Sequence, residues 1–233
     1  VKTHPGNDAD WLFRAVGYRA RDRALLERAL THRSATGADN ERLEFLGDAV
    51  LSFVVADLLY REFGDSDEGD LTRYRAALVS GDVLSEVGKA VSIGERMRLG
   101  SGELRSGGFR RPSILGDAFE AVLGFIYLDG GIEAVRAVIE RLWRERVQAI
   151  RLSPPAKDPK TRLQEWLQGR SLGLPEYTEE SVRGEPHART FTVLCRVGLS
   201  GIEARGTGSS RRRAEQLAAE QMLDALAKET LND

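Results

Sequence analysis

The chain has 233 residues, 41% of them hydrophobic and 30% charged, with a formal net charge of −2. That length leaves room for one large domain or two smaller ones, and the composition suits a soluble protein with a buried core. No run of about 18 apolar residues occurs, so no membrane span is expected, and the single cysteine, Cys195, excludes an internal disulfide or a zinc cluster built on thiols.

Residues 1–10 lack the positive n-region and apolar h-region of a secretory signal. With the lone thiol, this predicts a cytoplasmic protein. The slightly acidic balance would argue against a nucleic-acid partner, because phosphate binding needs Lys and Arg. Distribution matters more than the sum. Arg211, Arg212 and Arg213 stand together, with Arg205 shortly before them, while acids gather in the helix patterns upstream. A neutral total can therefore hold one basic patch and one acidic pocket.

In chain order, residues 1–152 read as almost entirely helical. Leu25, Leu26, Ala29 and Leu30 have helical spacing, as do Leu43, Leu46, Val50, Phe53 and Val54. Asp70 suits an N-cap for the segment that follows, with Gly69 allowing the turn before it. A glycine-rich loop, 100–108, leads into a long apolar helix closed near Asp129-Gly130-Gly131, and another helix runs from Ile132 to about Ile150. Ser153-Pro154-Pro155-Ala156 cannot continue a helix and reads as a linker over 153–157. Beyond it the pattern changes. Asp158-Pro159 is an N-cap and N1 pair for a helix through Arg170. Strand-like runs follow at 177–182, 189–197 and 201–206, with Phe191, Val193 and Cys195 alternating against Thr192, Leu194 and Arg196. A last helix starts near Ser210. The expected fold is an all-α domain over 1–152 followed by a small α+β domain of order α-β-β-β-α over 158–233.

Glu41, Glu44 and Asp48 fall at i, i+3 and i+7, on one helix face. In the second segment, 113–128, Asp117 and Glu120 are the only charged residues of a helix apolar on nearly all sides, which must be buried. Buried acids are paired, protonated or bound to a cation. For any one of them a solvated face or a salt bridge is the simpler account, but neither segment offers a base on its acidic face. Four acids on two core helices favour a cation site, and oxygen-only donors select Mg²⁺ or Mn²⁺ over zinc. Gly47 and Gly116, each beside an aspartate, would let helices or a ligand approach closely. His32, at a helix end, reads as a structural or capping residue. No Ser-His-Asp arrangement or phosphate-cradling P-loop appears. A helical di-metal oxidoreductase would need a Glu-x-x-His motif, which is absent.

The run Asn40-Glu41-Arg42-Leu43-Glu44-Phe45-Leu46-Gly47-Asp48-Ala49-Val50-Leu51 closely resembles the signature of the ribonuclease III family. The resemblance continues through 67–70, 107–111 and Ser113-Ile114-Leu115-Gly116-Asp117-Ala118-Phe119-Glu120-Ala121, and resumes after the linker at 157–165 and 206–216. Departures are small: Gly116 where Ala is common, and Trp166 where Tyr often stands. The resemblance implies a homodimeric endoribonuclease that cuts double-stranded RNA with Mg²⁺ (Mn²⁺ substituting), without an organic cofactor or a membrane. It implies 5′-phosphate and 3′-hydroxyl ends with short 3′ overhangs, and the processing of ribosomal RNA precursors and other structured transcripts. Glu44, Asp48, Asp117 and Glu120 are implied as metal ligands, with Asp48 and Glu120 the most critical catalytically. Glu41 and Glu68 match acids near the cleft, and Phe45 an aromatic that packs into the partner subunit. In the second domain, Thr161, Gln164, Glu165, Gln168 and His187 are implied to meet minor grooves, and Ser210, Arg211, Arg212 and Arg213 the phosphates between. A non-catalytic double-stranded RNA-binding protein is the alternative; such a degenerate member should lack one or more of the four acids.

Overall fold

A computed structural model describes residues 8–185, 188–198 and 201–230. It divides into two compact units, Val1–Pro155 and Ala156–Asp233. The division falls just after Pro155, whose carbonyl accepts a hydrogen bond from Arg73 Nε at 3.0 Å.

The described part of the first unit is helical: α1 (Asp8–Val16), α2 (Arg23–Ala29), α3 (Glu41–Glu62), α4 (Glu68–Leu78), α5 (Gly81–Ala90), α6 (Ser101–Arg105), α7 (Pro112–Gly130) and α8 (Ile132–Leu152). At its centre α7 buries Ile114, Leu115, Ala118, Phe119, Ala121, Val122, Leu123, Phe125 and Ile126, as its nearly uniform apolarity requires. Phe119 stacks at a tilt on Trp143 of α8, whose indole N–H is satisfied by the Leu78 carbonyl at 2.9 Å. The fourth helix starts earlier than the sequence suggested. Asp67, not Asp70, is the N-cap: its carboxylate accepts the Asp70 N–H at 2.7 Å, which puts Asp70 inside the first turn. The glycine-rich segment is not a bare loop either, since it winds into α6 and a 3-10 turn, Gly108–Arg110.

The most extensive packing is between α3 and α7, and glycine makes it possible. A Cβ on Gly47 would lie 1.8 Å from the Glu120 carbonyl oxygen, and one on Gly124 would lie 2.2 Å from that of Leu43. The two backbones therefore touch at the level of the acids. Gly116 plays a different part from the one expected of it. It faces Leu84 of α5 at an ordinary 3.4 Å, so its place is in α5–α7 packing and not beside the acids.

The second unit runs α9 (Pro159–Gln168), β1 (Pro175–Arg183), β2 (Thr190–Val197), β3 (Glu203–Gly208) and α10 (Arg211–Thr230). The sheet is antiparallel in the order β1-β2-β3, with a register shift between Glu179 and Ser181. Asp158 caps α9 through Lys160 N–H at 2.9 Å, and α9 ends two residues before Arg170. Leu163, Leu167, Cys195, Ala218, Ala219 and Met222 form the core between helices and sheet. The alternation expected along β2 fails at Leu194, which is buried. Leu194 pairs with Arg205, whose guanidinium reaches across to Glu180 of β1, so the ion pair roofs the middle strand.

Candidate metal centre and nucleic-acid interface

Glu44 and Asp48 come from α3, Asp117 and Glu120 from α7. Because Gly47 and Gly124 bring the helices into backbone contact, Glu44, Asp117 and Glu120 each place a carboxylate oxygen within 4.8 Å of the others. All three are half-buried. Asp48, one turn further along α3, is exposed and lies outside this trio. The structure thus gathers three of the four expected ligands within this distance, with Asp48 close enough to act on Glu120 by its charge.

The electrostatics fit a site short of positive charge. Burial pushes the Glu120 carboxyl up to about 8, helped by the charges of Asp48, Glu44 and Asp117. Glu44 is raised by burial and then by Asp117, and Asp117 by burial against the opposing pull of His32 and Arg33. His32 and Arg33, invisible in helix periodicity, arrive from the loop between α2 and α3. Arg33 is engaged by Glu41 at 3.3 Å. Together with Ser34, Asn40, Glu44 and Asp117 they line a cleft of about 690 Å³. Asn40 is a residue the sequence reading passed over. It is 2% exposed, and its amide nitrogen has no partner among the described residues.

Glu41 lines the cleft, but Glu68 does not. Glu68 accepts from Thr72 Oγ at 3.2 Å and lines a separate groove with Phe53, Tyr60, Leu71 and Arg75. Phe53 and Tyr60 are 57% and 74% exposed there, and Phe45, earlier on α3, is 80% exposed. Eight and then seven residues apart, they share one face of α3. His32 does not cap α2: its ring bonds Ser34, not a helix carbonyl.

In the second unit Thr161, Gln164, Glu165 and Gln168 are all exposed on α9, opposite buried Leu163 and Leu167. Glu165 is engaged by Lys157 at 2.9 Å. Ser210, Arg211, Arg212 and Arg213 are exposed at the start of α10, where Ser210 Oγ accepts the Arg213 N–H at 3.2 Å. Their position depends on Gly206, where a Cβ would meet the Ala214 carbonyl at 2.1 Å, so α10 lies directly on β3. Gln216 Nε2 donates to Asp158 at 2.7 Å and Lys160 Nζ to Glu215 at 2.6 Å, joining the starts of α9 and α10. Arg211 pairs with Glu215, whereas Arg212 and Arg213 have no ion pair among the described residues. His187 lies outside the described residues.

No helix of the described residues is long and apolar enough to cross a membrane. Residues 22–146 match the ribonuclease-III-like family and residues 159–226 the double-stranded RNA binding motif. The chain is 52% identical over 217 residues to Ribonuclease 3 of Vibrio campbellii, covering 93% of this chain and 96% of that one. It is 54% identical over 211 residues to Ribonuclease 3 of Alkalilimnicola ehrlichii, covering 91% and 92%. Among solved structures, the nuclease domain of ribonuclease III from Campylobacter jejuni, described for flexibility in a region involved in dimer formation, aligns at TM-score 0.57 and 39% identity over 58% of this chain and 96% of that one. With a helical unit carrying the acids and a second unit matching an RNA-binding motif, the chain belongs to the ribonuclease III family of endoribonucleases.

Proposed function

We propose that this protein is a homodimeric, magnesium-dependent endoribonuclease of double-stranded RNA, with its acids as the cation site and its second unit as the clamp. The observation that carries the reading is the trio of Glu44, Asp117 and Glu120, whose oxygens converge on two helices in backbone contact. Their donor set is purely oxygen, which suits a hard divalent ion such as Mg²⁺, with Mn²⁺ able to replace it. Burial first, and then the negative charge of neighbouring acids, raises the proton affinities of Glu120 and Glu44, and a bound cation would offset both. When bound, such an ion supplies positive charge to phosphate oxygens and makes a water more acidic.

The chain's own residues do the rest. Glu44, Asp117 and Glu120 hold the ion, and Asp48 adds negative charge next to Glu120. Thr161, Gln164, Glu165 and Gln168 meet a minor groove, where A-form RNA shows its 2′-hydroxyls. Ser210, Arg211, Arg212 and Arg213 hold phosphates, assisted by the N-terminal end of α10. The exposed stripe Phe45, Phe53 and Tyr60 takes a second copy of this chain, so that each protomer cuts one strand. A non-catalytic RNA-binding role fits less well, because all four acids are present. Cleavage of a long RNA duplex with Mg²⁺, and its reversible loss in EDTA, is the test. Cutting that survives full chelation would overturn the metal assignment; binding without cutting in Mg²⁺ would favour the non-catalytic role.

A further inference from the structure

His32 has no part in holding a cation, yet its setting is tightly built. The loop that carries it is pinned to the segment 98–100. His32 N–H donates to the Arg98 carbonyl at 3.0 Å, Arg98 N–H to the Leu30 carbonyl at 2.8 Å, and Gly100 N–H to Ser34 Oγ at 3.0 Å. Only glycine fits at 100, where a Cβ would lie 2.0 Å from the Ser34 carbonyl oxygen.

The imidazole is anchored through one nitrogen alone. Ser34 N–H donates to His32 Nδ1 at 3.1 Å, and Ser34 Oγ lies 2.8 Å from the same nitrogen. A backbone N–H can only donate, so Nδ1 must present its lone pair, and the neutral ring carries its proton on Nε2. The Ser34 hydroxyl then also donates to Nδ1 while accepting from Gly100. This leaves Nε2–H as a fixed donor with no hydrogen-bond partner and no ion pair among the described residues. The half-buried ring lines the same cleft as Glu44 and Asp117.

Carboxylates offer a phosphodiester no donor, Arg33 is engaged by Glu41 and Arg111 by Glu103, and Asn40 is buried at 2% exposure. We infer that His32 is a substrate-contacting residue, its Nε2–H donating a hydrogen bond to an oxygen of the phosphodiester held beside Asp117. The inference rests on the duplex-cleaving function proposed above. A neutral donor of fixed direction suits this task because it adds a contact to the phosphate without competing with the cation for the carboxylates.

Two substitutions separate the two ring nitrogens. His32→Asn puts an amide oxygen where Nδ1 sits, keeping an acceptor for Ser34 N–H, but has nothing at the Nε2 position. His32→Gln extends an NH₂ group toward the Nε2 position and gives up the acceptor. Single-turnover cleavage of a long RNA duplex in saturating Mg²⁺ should fall roughly 10- to 100-fold in the Asn variant. The Gln variant should keep most of the rate, and both should keep the thermal midpoint. An Asn variant as fast as wild type, or a Gln variant as slow as Asn, would overturn the assignment. A wild-type protein inert on duplex RNA would overturn this inference and the parent function together. Should the Asn variant not fold, ¹⁵N NMR of the wild-type protein still decides. The chain has three histidines, and a neutral His32 ring protonated on Nδ1 would refute the proposal, whereas Nε2–H supports it.

Discussion

The Glu120 carbonyl lies directly against Gly47, so closely that a Cβ there would come within 1.8 Å of the oxygen. This contact, with that of Gly124 on the Leu43 carbonyl, sets both the spacing of α3 and α7 and the convergence of their acids. Gly47→Ala must push the helices apart, an overpacking that costs at least the usual ~1–3 kcal/mol. It should lower the thermal midpoint and weaken Mg²⁺ binding by calorimetry. Gly116→Ala, with an ordinary 3.4 Å contact to Leu84, should do little of either. Equal behaviour of the two variants would show that the crossing is not what builds the site.

Glu120 makes stability depend on pH in a definite direction. Burial, with Asp48 beside it, lifts its carboxyl from 4.5 to about 8. A group raised on folding contributes stability below its unfolded value and loses it as pH rises through its folded value. Without divalent cation the protein should therefore weaken between about pH 4.5 and about pH 8. Glu120→Gln removes the charge, so in EDTA the variant should melt higher than wild type at alkaline pH, the gap closing toward pH 5. In Mg²⁺ the order should reverse, since only wild type gains fully from binding the ion, and the variant should not cleave. A gap in EDTA that ignores pH would contradict the buried-acid account.

Phe45, 80% exposed at the start of α3, should report on self-association. A carboxylate in its place would be desolvated by a second copy, an unfavourable burial without a partner. Phe45→Glu should shift sedimentation from twice the chain mass toward the single chain and slow double-strand cutting, with helix content unchanged. A wild-type protein that sediments as one chain while still making double-strand cuts would rule out the proposed dimer.

Much of this was legible because periodicity and charge coincide. An apolar segment, 113–128, with only Asp117 and Glu120 charged had to be buried, and α7, which contains it, is. Proline and aspartate at 158–159 announced α9. What stayed hidden is long-range. His32 and Arg33 reach the acids through a loop pinned to residues 98–100, and Gly124 meets Leu43 across a helix crossing; neither contact leaves a local pattern. The start of α4 is ambiguous in sequence because Asp67 and Asp70 are equally good caps, and only the bond from Asp70 N–H to Asp67 separates them. Leu194 broke its alternation because an ion pair between the flanking strands covers it.

The basic start of α10 should be separable from the chemistry. Arg211, Arg212 and Arg213 are exposed there, and of these only Arg211 has an ion pair among the described residues, with Glu215. Phosphate contacts release counterions, so affinity falls with salt along a slope set by the number of phosphates neutralised. Arg211→Ala with Arg212→Ala should weaken duplex binding for every sequence and flatten that slope by about 2. Glu215 keeps its Lys160 partner at 2.6 Å, so the fold of the second unit should survive the change. At low salt and saturating RNA the double variant should cut at close to the wild-type rate, because its acids are untouched. Titrating salt against affinity and then measuring the saturated rate distinguishes the outcomes. An unchanged slope would remove these arginines from the phosphate contacts, and a collapsed saturated rate would make them part of the active site.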